Sequence, residues 1–154
     1  LFGKELMMSF DQVTRDENAE SNPHALAPVS VSGITRDPVN MDVLNSFEDL
    51  QLGDGSDLIV ELIDLYLQEL PQRVTEIRET SIRTDWALLK LAAHTLKGSS
   101  GSLGVRHVAE ICEKLEHMDS HDSPTAVAAL IQLLEYESAM ASSSLAALRQ
   151  RRRV

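Results

Sequence analysis

From residue 56 onward, apolar residues recur every three or four positions in four successive stretches. That spacing keeps one face of an α-helix apolar and leaves the rest to solvent. The first stretch runs through Ile59, Leu62, Ile63, Tyr66, Leu70, Val74 and Ile77. The second uses Leu88, Leu89, Ala92, Leu96 and Leu103; the third uses Val105, Val108, Ile111, Cys112, Leu115 and Met118. The fourth uses Val127, Leu130, Leu134, Met140, Leu145 and Leu148. A shorter stretch, Val43, Leu44, Phe47 and Leu50, precedes them, with Asn40 placed to cap it. No segment alternates as a strand should. The expected fold is all-α: an antiparallel four-helix bundle with a short additional N-terminal helix.

Local signals divide the stretches. Gly53-Asp54-Gly55 breaks the leading helix, and Ser56 reads as the cap of the next. Pro71 lies inside that next stretch and should kink it. Thr84 or Asp85 opens the second long helix, and Gly101 and Gly104 loosen its end. Ser120-His121-Asp122 forms a turn, and Ser123-Pro124 reads as an N-cap followed by a proline at the first helical position. Residues 1–39 hold three of the five prolines, a polar run from Thr14 to Asn22 and little periodicity. They read as a flexible tail or interdomain linker, with a short helix over Leu1 to Phe10, and residues 40–150 as the bundle domain.

Composition narrows the partners. Aromatics make up only 4% of the chain, and Leu and Ala dominate, which suits helices more than a β-sandwich. A net charge of −10 argues against nucleic acid, whose phosphates need a cationic surface. The Arg149 to Arg153 end is a local exception and reads as a solvated helix terminus. One cysteine, Cys112, excludes an intramolecular disulfide and fits a reducing compartment. No apolar run approaches the ~20 residues of a membrane span, and there is no secretory signal. A cytoplasmic location without membrane contact is expected. The chain begins with Leu1, as an excised piece of a longer protein would.

His94 carries the chemistry. A helix turns roughly 100° per residue, which puts the leucine arc of the second stretch opposite His94. Lys90, Lys97, Gly98 and Gly101 fall within roughly 60° of it. The histidine is thus expected to be exposed, between two cations, with little bulk beside it. A neutral imidazole is a nucleophile, and nearby ammonium groups disfavour the charged ring. After phosphorylation the same lysines face a dianion. A glycine inside a helix costs ~1 kcal/mol relative to alanine. Gly98 and Gly101 are therefore better explained by the approach of another protein than by a plain helix. Leu91, Ala87, Gly98 and the tip of the following helix read as an apolar rim for that contact.

Other chemistries fit poorly. Lys97 precedes the glycines and no strand leads in, so this is not a phosphate-binding P-loop. Thr95 stands where a histidine-kinase dimerisation motif would carry an acid. His117 and His121, with Glu113 nearby, read as a solvated face, and no metal site is expected. His107 and His24 have no chemical setting. Asp57/Glu61 and Glu76/Glu79 read as solvated charge.

The segment His94-Thr95-Leu96-Lys97-Gly98-Ser99-Ser100-Gly101-Ser102-Leu103-Gly104 resembles the signature of histidine-containing phosphotransfer (HPt) domains. The resemblance extends through Leu65 to Pro71, Asp85-Trp86 and Val108 to Glu116, covering roughly residues 40–148. It implies a helical phosphorelay intermediate. His94 would accept a phosphoryl group from a receiver-domain aspartate and pass it to another receiver. Lys97 would stabilise phosphoryl charge, Gly98 would give the partner access and Lys90 would add a supporting cation. Ser99 and Ser100 match the motif as packing or hydrogen-bonding positions. Glu116, where glutamine is common, would orient the imidazole.

The implied partners are response-regulator receivers and an upstream, often hybrid, histidine kinase. The receiver would supply Mg²⁺; the chain would carry no cofactor and no ATP site of its own. It would be a phosphocarrier and not an enzyme, freestanding or part of a hybrid kinase. Two alternatives remain: a module that docks receivers without transfer, and the N-terminal phosphotransfer segment of a chemotaxis-type kinase. The outer faces read as polar and no strict heptad demands a dimer, so a monomer is expected.

Overall fold

The free amides at a helix start need acceptors, and short polar side chains supply them at four of the five helix starts among the described residues, Val105 being the exception. The structure, a computed structural model, describes residues 37–50 and 53–153. The expected tail up to residue 36, including the Leu1 to Phe10 helix and His24, lies outside the described residues.

Asn40 accepts the Asp42 amide at 3.0 Å and opens α1, Met41–Asn45. Asp57 accepts the Ile59 amide at 2.9 Å and opens α2, Leu58–Ile82. Ser56 was the expected cap, but its hydroxyl donates to Asp54 at 2.6 Å, which leaves the adjacent carboxylate to take the helix amides. The helix continues through Pro71, whose ring is exposed on the outer face. Asp85 accepts the Leu88 amide at 3.2 Å and starts α3, Trp86–Ser102. Next come α4, Arg106–Glu116, and α5, Pro124–Arg153, whose Ala126 amide donates to Ser123 Oγ at 3.3 Å. Among the described residues there are no strands.

The four longer helices pack in a ring: α2 on α3, α3 on α4, α4 on α5 and α5 on α2. The helix of His94, α3, therefore lies diagonally across from α5. Leu44, Ile63, Ile77, Leu89, Cys112, Leu115, Leu134 and Leu145 are fully enclosed between them. Each large apolar side chain buried this way is worth about 1.5–3 kcal/mol.

Three apolar residues expected inside are outside. Leu88 and Met140 are each 44% exposed and Leu50 is 55% exposed. Leu88 lies at the margin of the arc in the first turn of α3. Met140 misses the α5 core stripe, which runs Val127, Ile131, Leu134, Ser138, Ala141, Leu145 and Leu148. Leu50 follows the end of α1 and no longer keeps helical register.

The folded region also begins earlier than residue 40. Val39 is buried, and the Asn40 amide donates to the Gly104 carbonyl at 2.8 Å. Gly104 does not loosen the end of α3 but fixes this contact. Its φ is +77°, and a Cβ there would meet Asn40 O at 2.7 Å. Glycine is the residue that tolerates both.

The arginine end of α5 is not merely solvated. Arg152 pairs with Asp57 at 2.6 Å and Glu48 at 2.7 Å, and Arg149 pairs with Asp64 at 2.8 Å. These bonds tie the last turn of the chain to the start of α2. The Arg152 guanidinium holds the carboxyls of Asp57 and Glu48 below their ordinary values.

Candidate functional site

The inner face of α3 carries Leu89, Ala92, Ala93, Leu96 and Ser100, all buried. His94 projects from the opposite side, with 64% of its side chain exposed. Ala93 and Ser100 extend the buried face beyond the leucine arc. Ser100 Oγ lies 2.8 Å from the buried hydroxyl of Tyr66 on α2. That bond closes two polar groups that burial alone would leave costly. Ser99 is half-buried and donates back to Leu96 O at 3.2 Å.

The side chains outside this face turn in on their own helix. Thr95 Oγ1 donates to Leu91 O at 2.9 Å, and Ser102 Oγ donates to Gly98 O at 2.9 Å. Gly98 and Gly101 have nothing within 4 Å of the place a Cβ would occupy. No helix among the described residues needs their small size. Leu91, 60% exposed, lies on the outer surface of the helix with the exposed Ala87 and Leu88.

Glu116, the last residue of α4, reaches both His94 and Lys97 of α3. One carboxylate oxygen lies 2.6 Å from His94 Nδ1 and the other 2.5 Å from Lys97 Nζ. The Lys97 bond, with a smaller contribution from His94, outweighs desolvation and holds the Glu116 carboxyl below its ordinary value. The same bond raises Lys97. An ionised carboxylate only accepts. The Nδ1 atom must therefore carry the ring proton, and the lone pair of Nε2 faces away from Glu116.

This revises the sequence expectation in one respect. Lys97 is not a free cation beside His94 but is already paired. Lys90 is half-buried and has no ion-pair partner among the described residues. Beneath the site, burial pushes the Cys112 thiol up to about 12, which suits an inert core residue.

The other sequence candidates lie elsewhere. His107 Nδ1 sits 3.2 Å from Glu137 on α5, a cross-helix pair the sequence reading passed over. Glutamate on a core-flanking position of α5 was the available signal. His117 Nδ1 bonds Glu113 O at 2.7 Å. Among the described residues no group of three or more His, Cys, Asp or Glu gathers as metal ligands. No described helix is long and apolar enough to cross a membrane.

An exposed histidine, fixed through Nδ1 and bordered by an open glycine on a helical bundle, suits a protein that presents its ring to another protein. Residues 61–140, just over half of the chain, match the Hpt domain family. The chain belongs to the Hpt domain family. It is a phosphotransfer intermediate of a phosphorelay; Hpt domains are phosphotransfer carriers that act among the receiver domains and kinases of such relays.

Two solved structures share the fold. Histidine-containing phosphotransfer protein B from Pseudomonas aeruginosa is 23% identical, with a TM-score of 0.63 over 76% of this chain and 98% of that one. The HPT domain of a sensor hybrid histidine kinase from Shewanella is 21% identical, with a TM-score of 0.61 over 75% of this Hpt chain and 96% of that one. The chain matches no curated protein.

Proposed function

We propose that His94 is the residue that carries the phosphoryl group. Its Nε2 attacks the aspartyl phosphate of a receiver domain, and the P–O bond to that aspartate breaks. The reverse step delivers the group to the aspartate of another receiver. The observation that carries this reading is the 2.6 Å bond from Nδ1 to Glu116 on a ring with 64% of its side chain exposed. It positions the nucleophile, and the Nδ1 proton stays on the ring throughout. When the group leaves, the electron pair returns to Nε2 and the product is a neutral imidazole.

Lys97 has a double use in this mechanism. In the resting site it holds Glu116, and once phosphate is on Nε2 it can turn to the new dianion. Lys90, one turn before His94, adds positive charge on the same side. Gly98 leaves room for the receiver's backbone, with Leu91, Leu88 and Ala87 as the apolar rim of the contact. Ser99 and Ser100 serve packing. Mg²⁺ belongs to the receiver's acidic pocket, and the chain itself uses neither cofactor nor ATP. The module works in the cytoplasm, alone or as part of a hybrid kinase.

The test is incubation with receiver domains carrying a radiolabelled phosphoryl group. Acid-labile label should appear on this chain and vanish in His94→Gln. Label that persists in a folded His94→Gln protein would place the chemistry on another residue.

A further inference from the structure

The outer face of α5 is unlike the rest of this acidic surface. Every exposed residue from Ala126 to Ala147 is uncharged, in a chain of net charge −10. That is six turns of helix, about 32 Å at 1.5 Å per residue. The two charged residues within the span, Glu135 and Glu137, flank this face and are each occupied. Glu135 pairs with Arg78 at 3.0 Å, and Glu137 with His107 at 3.2 Å. A solvated helix face is normally polar and charged.

The apolar residues on this face are spaced for another helix. Ala126, Ala129, Leu133, Tyr136 and Met140 follow one another at intervals of three, four, three and four. This is the repeat of a helix-pairing seam. Leu133 and Met140 are each 44% exposed, and Tyr136 is 60% exposed. A second stripe with the same spacing, starting at Val127, faces the core. The helix is therefore apolar on two sides, and only one of them is covered among the described residues.

We propose that this face is where two copies of the chain meet, α5 against α5, antiparallel about a two-fold axis beside Tyr136. Charge favours this occupant in two ways. Two chains of net charge −10 repel wherever their acidic surfaces approach, and this long neutral face is free of that cost. The ends of the seam are also complementary. Its N-terminal end borders a groove between α4 and α5 whose charged lining is three carboxylates, Glu110, Glu113 and Asp122, against one lysine, Lys114, with His117 beside them. Its C-terminal end carries Arg151, which is exposed and has no ion-pair partner among the described residues. Arg149, Arg152 and Arg153, by contrast, are all held within the bundle.

Antiparallel pairing about Tyr136 sets Leu133 against Met140 of the other copy, Ala126 against Ala147, and Asp122 against Arg151. Symmetry makes each contact twice. Parallel pairing would bring the Arg151 residues together and the acidic ends together. Because α5 is diagonal to α3, both His94 rings stay free. The dimer would present two phosphoryl carriers facing outward, in place of the monomer expected from the sequence.

Sedimentation equilibrium on the whole chain, from micromolar to millimolar concentration, tests the proposal. The expected result is a reversible rise to twice the chain mass, abolished by Leu133→Glu combined with Met140→Glu. Both residues are exposed, so helicity should be unchanged. A single-chain mass throughout, or a dimer indifferent to that pair of substitutions, overturns the proposal. Orientation is read by cysteine cross-linking. Tyr136→Cys should form a covalent dimer and Ala126→Cys should not; covalent dimers from both variants, as a parallel seam would give, or from Ala126→Cys alone, rule out the antiparallel register. If α5 instead binds a helix of another protein, the isolated chain stays monomeric, which counts against the proposal.

Discussion

Two histidines in this molecule each bond a glutamate on a neighbouring helix through Nδ1, yet only one of them has the setting that the proposed transfer needs. His94 meets Glu116 at 2.6 Å, and His107 meets Glu137 at 3.2 Å. The His94 side chain is 64% exposed and the His107 side chain 30%. Near His94, one turn on, stands Gly98 with open space around it. Before His107 stands Gly104, packed against Asn40 at a left-handed φ. Glu116 is itself held by Lys97, so its carboxylate is fixed from both sides, whereas Glu137 bonds only His107 among the described residues. A histidine–glutamate pair is thus a clasp by default. It becomes a positioned nucleophile when the far ring nitrogen is uncovered and a cation waits beside it.

The contrast can be broken most directly by exchanging each histidine. His94→Gln should abolish phosphoryl uptake while shifting stability by no more than about 0.5 kcal/mol, as at an exposed site. His107→Gln should keep full uptake. Phosphorylation assays and thermal melts of both variants decide this. Loss of uptake in His107→Gln would make the two pairs functionally alike.

The glutamates should separate next. Glu116→Ala should slow transfer on the order of 10–100-fold, because the ring loses its orientation. Glu116→Gln should recover much of the rate, since an amide oxygen still accepts from Nδ1–H. Glu137→Ala should leave the rate unchanged. Stopped-flow transfer to one receiver measures all three, and equal effects from Glu116→Ala and Glu137→Ala would remove the distinction.

The glycines sharpen the comparison in opposite directions. Gly104→Ala should destabilise the fold by about 2–3 kcal/mol, from the left-handed backbone and the clash with Asn40 O. Gly98→Ala should stabilise it by about 0.5–1 kcal/mol and yet slow transfer, because helix propensity improves while partner access narrows. Urea unfolding paired with transfer kinetics shows both. A Gly98→Ala protein with unchanged kinetics would mean the open space is not used.

The smallest expected effect is in acid. The Lys97 bond keeps Glu116 below its ordinary value, so this carboxylate favours the folded state at neutral pH. That contribution is fully present above the unfolded value of about 4.3 and is lost as pH falls through the lower folded one. A carboxyl ¹³C titration should find Glu116 ionised when free glutamates are already half protonated. A midpoint at or above about 4.3 would contradict the Lys97–Glu116 bond.

How much of this was legible in the sequence differs from residue to residue. The stripe from Ile59 to Ile77 and the position of His94 opposite the leucines both follow from helical periodicity, a local property. The caps at Asn40, Asp85 and Ser123 were legible for the same reason. The cap at Asp57 was missed because Ser56 and Asp57 are both good caps, and only the bond to Asp54 removes the serine. Glu116 was found through the motif resemblance, but its simultaneous hold on Lys97 depends on how α3 and α4 dock. The Arg152 pairs join residues about 100 positions apart and leave no local trace. On α5 two stripes have the same spacing, so periodicity alone could not say which one is core. The choice of Met140 followed from that ambiguity, and so did the expectation of a polar exterior.

The central claim is that Glu116 holds the Nδ1 proton so that Nε2 carries the phosphoryl group. Nitrogen-15 NMR of the histidine-labelled chain, before and after phosphorylation, reads this directly. The account predicts a proton on Nδ1 of His94 in both states and phosphorus coupled to Nε2 in the second. Phosphorus on Nδ1, or a resting ring protonated on Nε2 alone, would contradict it.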